Sequence, residues 1–296
     1  MMKNKKFTGV FCGIMTGVCW GLSGVFSQYL FENTHMQSDW FVAVRMLVSG
    51  LCMLIFSLIT KREEIRSLFG NKRDFVRCIF SGVIGTMMFQ FACYGAVQRS
   101  NAATAIVLQY LCPVMVMIYI CVKRHKIPEK YELIAFALAI AGIFLISTHG
   151  NINELIISKE ALIWGIGCAF FMMLGTILPE PLYDRYSTQT ITSVSLFFGG
   201  IVAGIMINPV KNSPALDDKA VAVLLVAVVC GSIIAYFVYG ITIKQVGSAR
   251  ASLFACSEIP SATILSVLLL GSHFTLMDLV GFTLIGSTIF ILSAKK

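Results

Sequence analysis

Ala102-Ala103-Thr104-Ala105-Ile106-Val107-Leu108-Gln109-Tyr110-Leu111-Cys112-Pro113 is answered 147 positions later by Ala249-Arg250-Ala251-Ser252-Leu253-Phe254-Ala255-Cys256-Ser257-Glu258-Ile259-Pro260. Each stretch opens on small residues, runs apolar, turns polar and reaches a proline in the middle of a segment long enough to cross a bilayer. A second echo lies at an offset of 146, between Ile143-Phe144-Leu145-Ile146-Ser147 and Ile289-Phe290-Ile291-Leu292-Ser293. Both offsets are about half of the 296-residue chain. They point to a duplicated membrane unit, and duplicated units with interrupted helices build carriers around a central site.

Working outward from these stretches, the chain is 57% hydrophobic and 13% charged, with mean hydropathy +0.83. A soluble domain is nearer half apolar and a quarter charged. Apolar blocks recur at about 7–30, 38–60, 75–97, 101–122, 131–148, 160–180, 189–208, 219–243, 248–270 and 275–294. Each can cross a hydrocarbon core of roughly 30 Å. Ten spans leave no room for a soluble domain. The fold class read here is therefore an all-α polytopic membrane protein, with two five-helix halves at 1–150 and 151–296. Five is odd, so the second half enters the membrane in the opposite sense, as an inverted repeat.

The net charge of +8 follows topology rather than a nucleic-acid partner. With the N-terminus inside, 18 of the 23 basic residues fall in inside segments. Basic residues hold loops in the cytoplasm, so both termini are expected there. The first block follows Lys3-Asn4-Lys5-Lys6 but is longer than a leader's apolar core, and reads as the first span. The ten cysteines form no C-x-x-C and act mainly as small hydrophobes. No metal, disulfide or cofactor is expected.

Glu258 is the leading candidate for chemistry. It falls near the middle of span nine, where a charged side chain costs about 2.5–3.5 kcal/mol by insertion scales. It stands two residues before Pro260, whose missing N–H and ring loosen the preceding turn. A titratable group beside freed carbonyls can bind a cationic or zwitterionic ligand or take up a coupling proton. The alternative is a protonated, hydrogen-bonded structural carboxyl. Gln109 and Tyr110 precede Pro113 at the matching place in span four. Gln90 and Tyr94 lie a turn apart in span three, Tyr236 lies in span eight, and Trp20 and Ser23 lie three apart in span one. Together they can line an amphipathic cavity, although amides and hydroxyls also serve as helix glue. Arg45, in span two, either snorkels outward or pairs internally, and is read as structural or gating. Pro113 and Pro260 are read as hinges. Glu180, between Pro179 and Pro181, ends span six at the interface.

Gly9, Gly13, Gly17 and Gly21 repeat at four-residue spacing, echoed by Ala161, Gly165 and Ala169 in span six. Such a face admits a neighbouring helix closely; it is a packing seam, and can also be a sliding one. Gly21-Leu22-Ser23-Gly24 matches the G-x-S-G of intramembrane proteases. Such a serine needs a histidine base, and His35, His125, His149 and His273 all fall in loops or at span ends. H-E-x-x-H and the P-loop pattern are absent. The chain is not read as an enzyme, and it carries no nucleotide-hydrolysing engine.

Cys19-Trp20-Gly21-Leu22-Ser23-Gly24, Ser100-Asn101-Ala102-Ala103-Thr104 and Glu258-Ile259-Pro260 resemble the drug/metabolite transporter superfamily, in particular its EamA-type members, over essentially the whole chain. The family's Glu-x-Pro in span nine is matched by Glu258 and Pro260, and its span-two Arg by Arg45. Its Gly-Glu pair at the ends of spans four and nine is not matched. Those regions read Lys123-Arg124-His125-Lys126 and Gly271-Ser272-His273, so roles assigned to those acids do not carry over. The resemblance implies a cavity between spans three, four, eight and nine, with one and six moving beside them. It also implies a cell-membrane carrier that exports an amino acid or similar small metabolite, as monomer or homodimer. A carrier of drugs or sugar derivatives, or a passive channel, is the alternative.

Overall fold

The computed structural model describes residues 2–125, 127, 129–148, 157–246, 251 and 254–293. Ala249, Arg250, Ser252 and Leu253 of the second quoted stretch, His149, and most of the expected boundary between halves lie outside the described residues. The described chain is helical, with no strand among the described residues. Its elements are α1 (Met2–Asn33), α2 (Ser38–Thr60), α3 (Arg62–Gly70), α4 (Lys72–Phe80), α5 (Met88–Arg99), α6 (Ala102–Gln109), α7 (Cys112–Arg124), α8 (Lys130–Thr148), α9 (Lys159–Ile177), α10 (Thr188–Ile207), α11 (Asp218–Val228), α12 (Ala235–Val246), α13 (Glu258–Leu270) and α14 (Leu276–Ser293).

Seven stretches of described helix are long and apolar enough to cross a membrane: 8–33, 38–60, 72–99, 102–123, 159–182, 188–207 and 218–242. Shorter apolar helices at Leu133–Ile146, Glu258–Leu270 and Leu276–Thr288 stand where spans five, nine and ten are expected. The expected inside loop near 61–74 differs from expectation. Arg62–Gly70 is a helix, because Ile65 and Leu68 fall on one face and are buried against Leu182, Tyr186, Ile191 and Val194. Large apolar side chains such as Ile59, Ile163, Ile205 and Leu268 point outward around the perimeter, as a lipid-facing surface requires.

Two interruptions were not expected. Ser81–Met87, between α4 and α5, and Val229–Ile234, between α11 and α12, are π-helical. A π stretch adds a residue to the turn and frees carbonyls, and such stretches often mark functional places. Gly85 and Gly231 sit 146 positions apart within them, and each is closely approached by another helix. A Cβ on Gly85 would lie 2.4 Å from Gly175 Cα, and one on Gly231 would lie 2.1 Å from Ser23 Oγ.

The principal pairings are α2 with α10, α8 with α14, α5 with α9, and α1 with α12 and α13. Two of these are reciprocal. Gly50 lies against Phe197 and Gly200 against Met46; Gly142 lies against Ile285 and Gly281 against Ile146. In both pairs the numbers rise on one helix as they fall on the other, so the partners run antiparallel.

At the end that carries the N-terminus, α3 is tied to the start of α10. Glu64 Oε2 accepts from Ser187 N at 2.9 Å, Ser187 Oγ at 2.6 Å and Thr190 Oγ1 at 2.9 Å, while Oε1 accepts from Lys61 Nζ at 2.8 Å. Asp74 Oδ2 accepts from Arg185 Nη1 at 2.9 Å and Tyr186 Oη at 3.1 Å. At the other end Trp40 Nε1 donates to Pro209 O at 2.8 Å. Burial pushes the Glu64 carboxyl up, but the hydrogen bonds from Lys61, Ser187 and Thr190 outweigh it and hold the group at about 2. A depressed carboxylate stabilises fully above its unfolded value and less as the pH falls through its folded one. The difference in thermal midpoint between wild type and Glu64→Gln is therefore expected to stay constant from about pH 8 to pH 5 and to shrink below about pH 4.5. A difference that widens on acidification would contradict this tie.

Candidate functional site

The two quoted stretches are broken helices, and the breaks match. Span four stops after Gln109, passes through Tyr110 and Leu111, and restarts at Cys112. Span nine turns at Cys256 and Ser257 and restarts at Glu258. Pro113 and Pro260 lie in the first turns of the restarted helices, where a missing N–H leaves no intrahelical bond unmade. They start new helices after a stop rather than kinking continuous ones.

The breaks face each other. Glu258 is 7% exposed, and its Oε2 accepts from Gln109 Nε2 at 3.2 Å and from Tyr110 Oη at 3.0 Å. Tyr110 Oη also lies 3.3 Å from Ala255 O, a carbonyl at the break. Its single proton divides between the two acceptors. Among the described residues no basic side chain is ion-paired with Glu258.

The α1 seam holds this arrangement closely. A Cβ on Gly17 would lie 2.2 Å from Ser257 Oγ, 2.6 Å from Ala255 O and 2.7 Å from Glu258 N. Gly21 faces Glu258 O and Ala262 N, and Gly13 faces Phe254. The packing-seam reading of this stripe therefore has a definite partner, the broken span. In span six a Cβ on Gly165 would lie 2.4 Å from Leu108 Cδ1, just before the other break.

Arg45 pairs internally. Its Nη1 donates to Ser23 Oγ at 2.8 Å and to Tyr94 Oη, and its Nη2 donates to Gly231 O at 2.9 Å. The guanidinium also stands over the Tyr94 ring, 5.0 Å from its centroid. Ser23 Oγ passes its own proton to Ala227 O at 2.8 Å. The guanidinium and the serine thus take two carbonyls at the π stretch of span eight. Lys has one compact head group in place of a planar fork. Arg45→Lys is expected to lose at least one of these bonds and to destabilise by about 1–2 kcal/mol, read as a lower thermal midpoint in detergent. An unchanged midpoint would remove Arg45 from the fold's support.

The remaining sequence candidates lie between these two groups or beside them. Trp20 packs edge-on against Tyr236, with centroids 5.9 Å apart, and also against Tyr239 at 5.4 Å. Tyr236 is half-buried. Gln90 is buried, and its Oε1 has no partner among the described residues. Cys93 Sγ donates to Gln109 Oε1 at 3.6 Å. Ser23 and Tyr94 are committed to Arg45, which leaves Glu258, Gln109, Tyr110, Gln90, Tyr236 and Trp20 as the polar and aromatic groups around the breaks. Tyr239 was missed by sequence reasoning, although its place three residues after Tyr236 puts it on the same helix face. Glu180 is exposed and opens a 3₁₀ turn, Glu180–Leu182, at the end of span six. Among the described residues no group of three or more His, Cys, Asp or Glu side chains could hold a metal.

A cavity of about 170 Å³ lies beside this region, between spans three, six and seven. Its lining runs from Pro179 and Tyr183, toward the N-terminal end, to Tyr236. A second, of about 450 Å³, lies at the opposite end around Trp40, His35 and Asn212.

Comparison with known proteins agrees with this architecture. The chain is 32% identical over 280 residues to the uncharacterized inner membrane transporter YicL of Salmonella typhimurium, covering 95% of this chain and 93% of that one. It is 22% identical over 301 residues to the uncharacterized transporter YrdR of Bacillus subtilis, covering 97% and 92%. A solved crystal structure shares the fold with a TM-score of 0.60 at 12% identity, over 98% of this chain and 95% of that one. The model of the EamA-like transporter family matches residues 7–148 and again 159–294. With seven long apolar helices among the described residues, an apolar perimeter and a buried polar centre, the chain belongs to the EamA-like transporter family and is an integral membrane transporter.

Proposed function

We propose that this transporter is a secondary carrier that moves an amino acid or similar small metabolite out of the cell by alternating access. The observation that carries this reading is the meeting of Glu258 with Gln109 and Tyr110 across two matched helix breaks. A buried carboxylate among donors, at backbone that is already interrupted, suits a transient cationic or zwitterionic ligand or a coupling proton. Trp20, Tyr236 and Gln90 would complete the cavity wall. Ser23 and Tyr94 would act through Arg45, on the gating side, and Pro113 and Pro260 would restart the mobile half-helices.

The same reading takes the chain as ten spans in two inverted halves, 1–150 and 151–296, with both termini cytoplasmic. The reciprocal, antiparallel contacts of α2 with α10 and of α8 with α14 favour a two-fold axis lying across the helices, in the membrane plane. An axis along the membrane normal would make those partners parallel. The inward bias of Lys and Arg favours the orientation.

The test is counterflow in liposomes loaded with amino acids, amines, sugars and nucleosides, with efflux read by mass spectrometry with and without a pH gradient. Exchange of a few related compounds supports the carrier and names its substrate. Exchange of sugar derivatives or drugs alone selects the other carrier class. Rapid flux without counterflow selects a channel and retires the proposal.

A further inference from the structure

The two π stretches occupy matching places, but what fills the space beside them differs. Gly50 and Gly200, whose contacts are reciprocal, are 150 positions apart, and the same spacing pairs Arg45 with Ser195. Each of the two packs on the π stretch of the other half. Arg45 Nη2 donates to Gly231 O at 2.9 Å, while a Cβ on Gly82 would lie 2.5 Å from Ser195 O. A hydroxyl engages a carbonyl just before each stretch: Ser23 Oγ donates to Ala227 O at 2.8 Å, and Ser195 Oγ to Cys78 O at 3.3 Å. On the Arg45 side the remaining space is taken by the guanidinium. On the Ser195 side the side chain ends at its hydroxyl, and the cavity of about 170 Å³ opens there.

The Arg45 side shows what such a place can hold. Its guanidinium is bonded to two hydroxyls, those of Ser23 and Tyr94, and to one main-chain carbonyl. The cavity is lined by residues that carry the same kind of acceptor, Ser81, Thr176, Tyr183, Ser195 and Tyr236, with no basic residue among its lining. The geometry points to a binding site for a small guanidinium-bearing cation beside Ser195, occupying the place that the head group of Arg45 occupies in the other half. Hydroxyl and carbonyl oxygens accept its N–H donors as they accept those of arginine, and Met172 and Phe89 leave an apolar wall for a short aliphatic arm. The inference goes beyond the carrier reading, whose proposed cavity shares only Tyr236 with this one, and the binding itself does not depend on transport.

The test uses the purified full-length protein, titrated at constant ionic strength with guanidinium, methylguanidine, urea and tetramethylammonium. Binding is read by calorimetry and by thermal midpoint. Guanidinium and methylguanidine are expected to bind saturably and raise the midpoint. Urea, the neutral isostere, and tetramethylammonium, a cation without N–H groups, are expected to do neither. Ser195→Arg supplies the head group covalently, and is expected to keep the midpoint and weaken guanidinium binding at least about tenfold. No saturable binding in wild type, an equal response to urea, or undiminished binding in Ser195→Arg overturns the inference. If that variant does not fold, the double variant Ser81→Ala/Thr176→Val removes two acceptors and is expected to weaken binding about tenfold; unchanged affinity there overturns it equally. Binding without any counterflow would retire the carrier reading and leave the site standing. Counterflow of other compounds without guanidinium binding would do the reverse.

Discussion

Glu258→Gln is expected to leave the purified protein folded while lowering substrate counterflow by about 10- to 100-fold. The amide fits the space of the carboxyl, and its oxygen can still accept from Gln109 or Tyr110. Tyr110 can turn its proton to Ala255 O, already 3.3 Å away. What disappears is the charge, and with it charge-assisted bonding worth about 1.5–3 kcal/mol to a bound cation. A thermal midpoint within about 2 °C of wild type is expected alongside the loss. Wild-type counterflow at every pH tested would reduce Glu258 to a structural hydrogen-bonding group.

Gly17→Leu is expected to have the largest effect on stability, about 3 kcal/mol or more, and to abolish transport. Even its Cβ would lie under 3.0 Å from Ser257 Oγ, Ala255 O and Glu258 N. Two of those three atoms are backbone, so no rotamer change relieves the contact. Either α1 leaves α13 or the break beside Glu258 is rebuilt. Gly240 is the control. It lies in α12 with nothing within 4 Å of an added Cβ, and Gly240→Ala is expected to be neutral or to stabilise by up to about 1 kcal/mol through helix propensity. Equal behaviour of the two variants in thermal unfolding would show that the seam carries no strain.

The apolar blocks, the prolines and the lone midplane acid were legible because each departs from what lipid tolerates. A polar side chain in hydrocarbon carries a cost visible without coordinates, and a four-residue glycine repeat can only be a helix face. The same logic found Gln109 and Tyr110 by their place before Pro113. Partner choice was not legible. Arg45 could have turned to either interface, and only the packing of α2 against the π stretch Val229–Ile234, with Ser23 of α1 beside it, delivers it to Ser23 and Gly231. The π stretches were hidden because insertion of one residue into a turn leaves apolar composition unchanged; Gly85 and Gly231, at matching offsets, were the available trace. The helix over 62–70 was masked by its charges, since only Ile65 and Leu68 reveal its buried face.

The opposition of Glu258 to Gln109 and Tyr110 bears on why two such halves share one polypeptide. In two identical halves related by a two-fold axis, an acid and the donors that hold it would each occur twice. Two carboxylates so near one another cannot both ionise. Here, at the offset of 147, Glu258 answers Leu111, while Gln109 and Tyr110 answer Cys256 and Ser257. One break presents the acid and the other presents the groups that hold it, so the two matched breaks are chemically unlike.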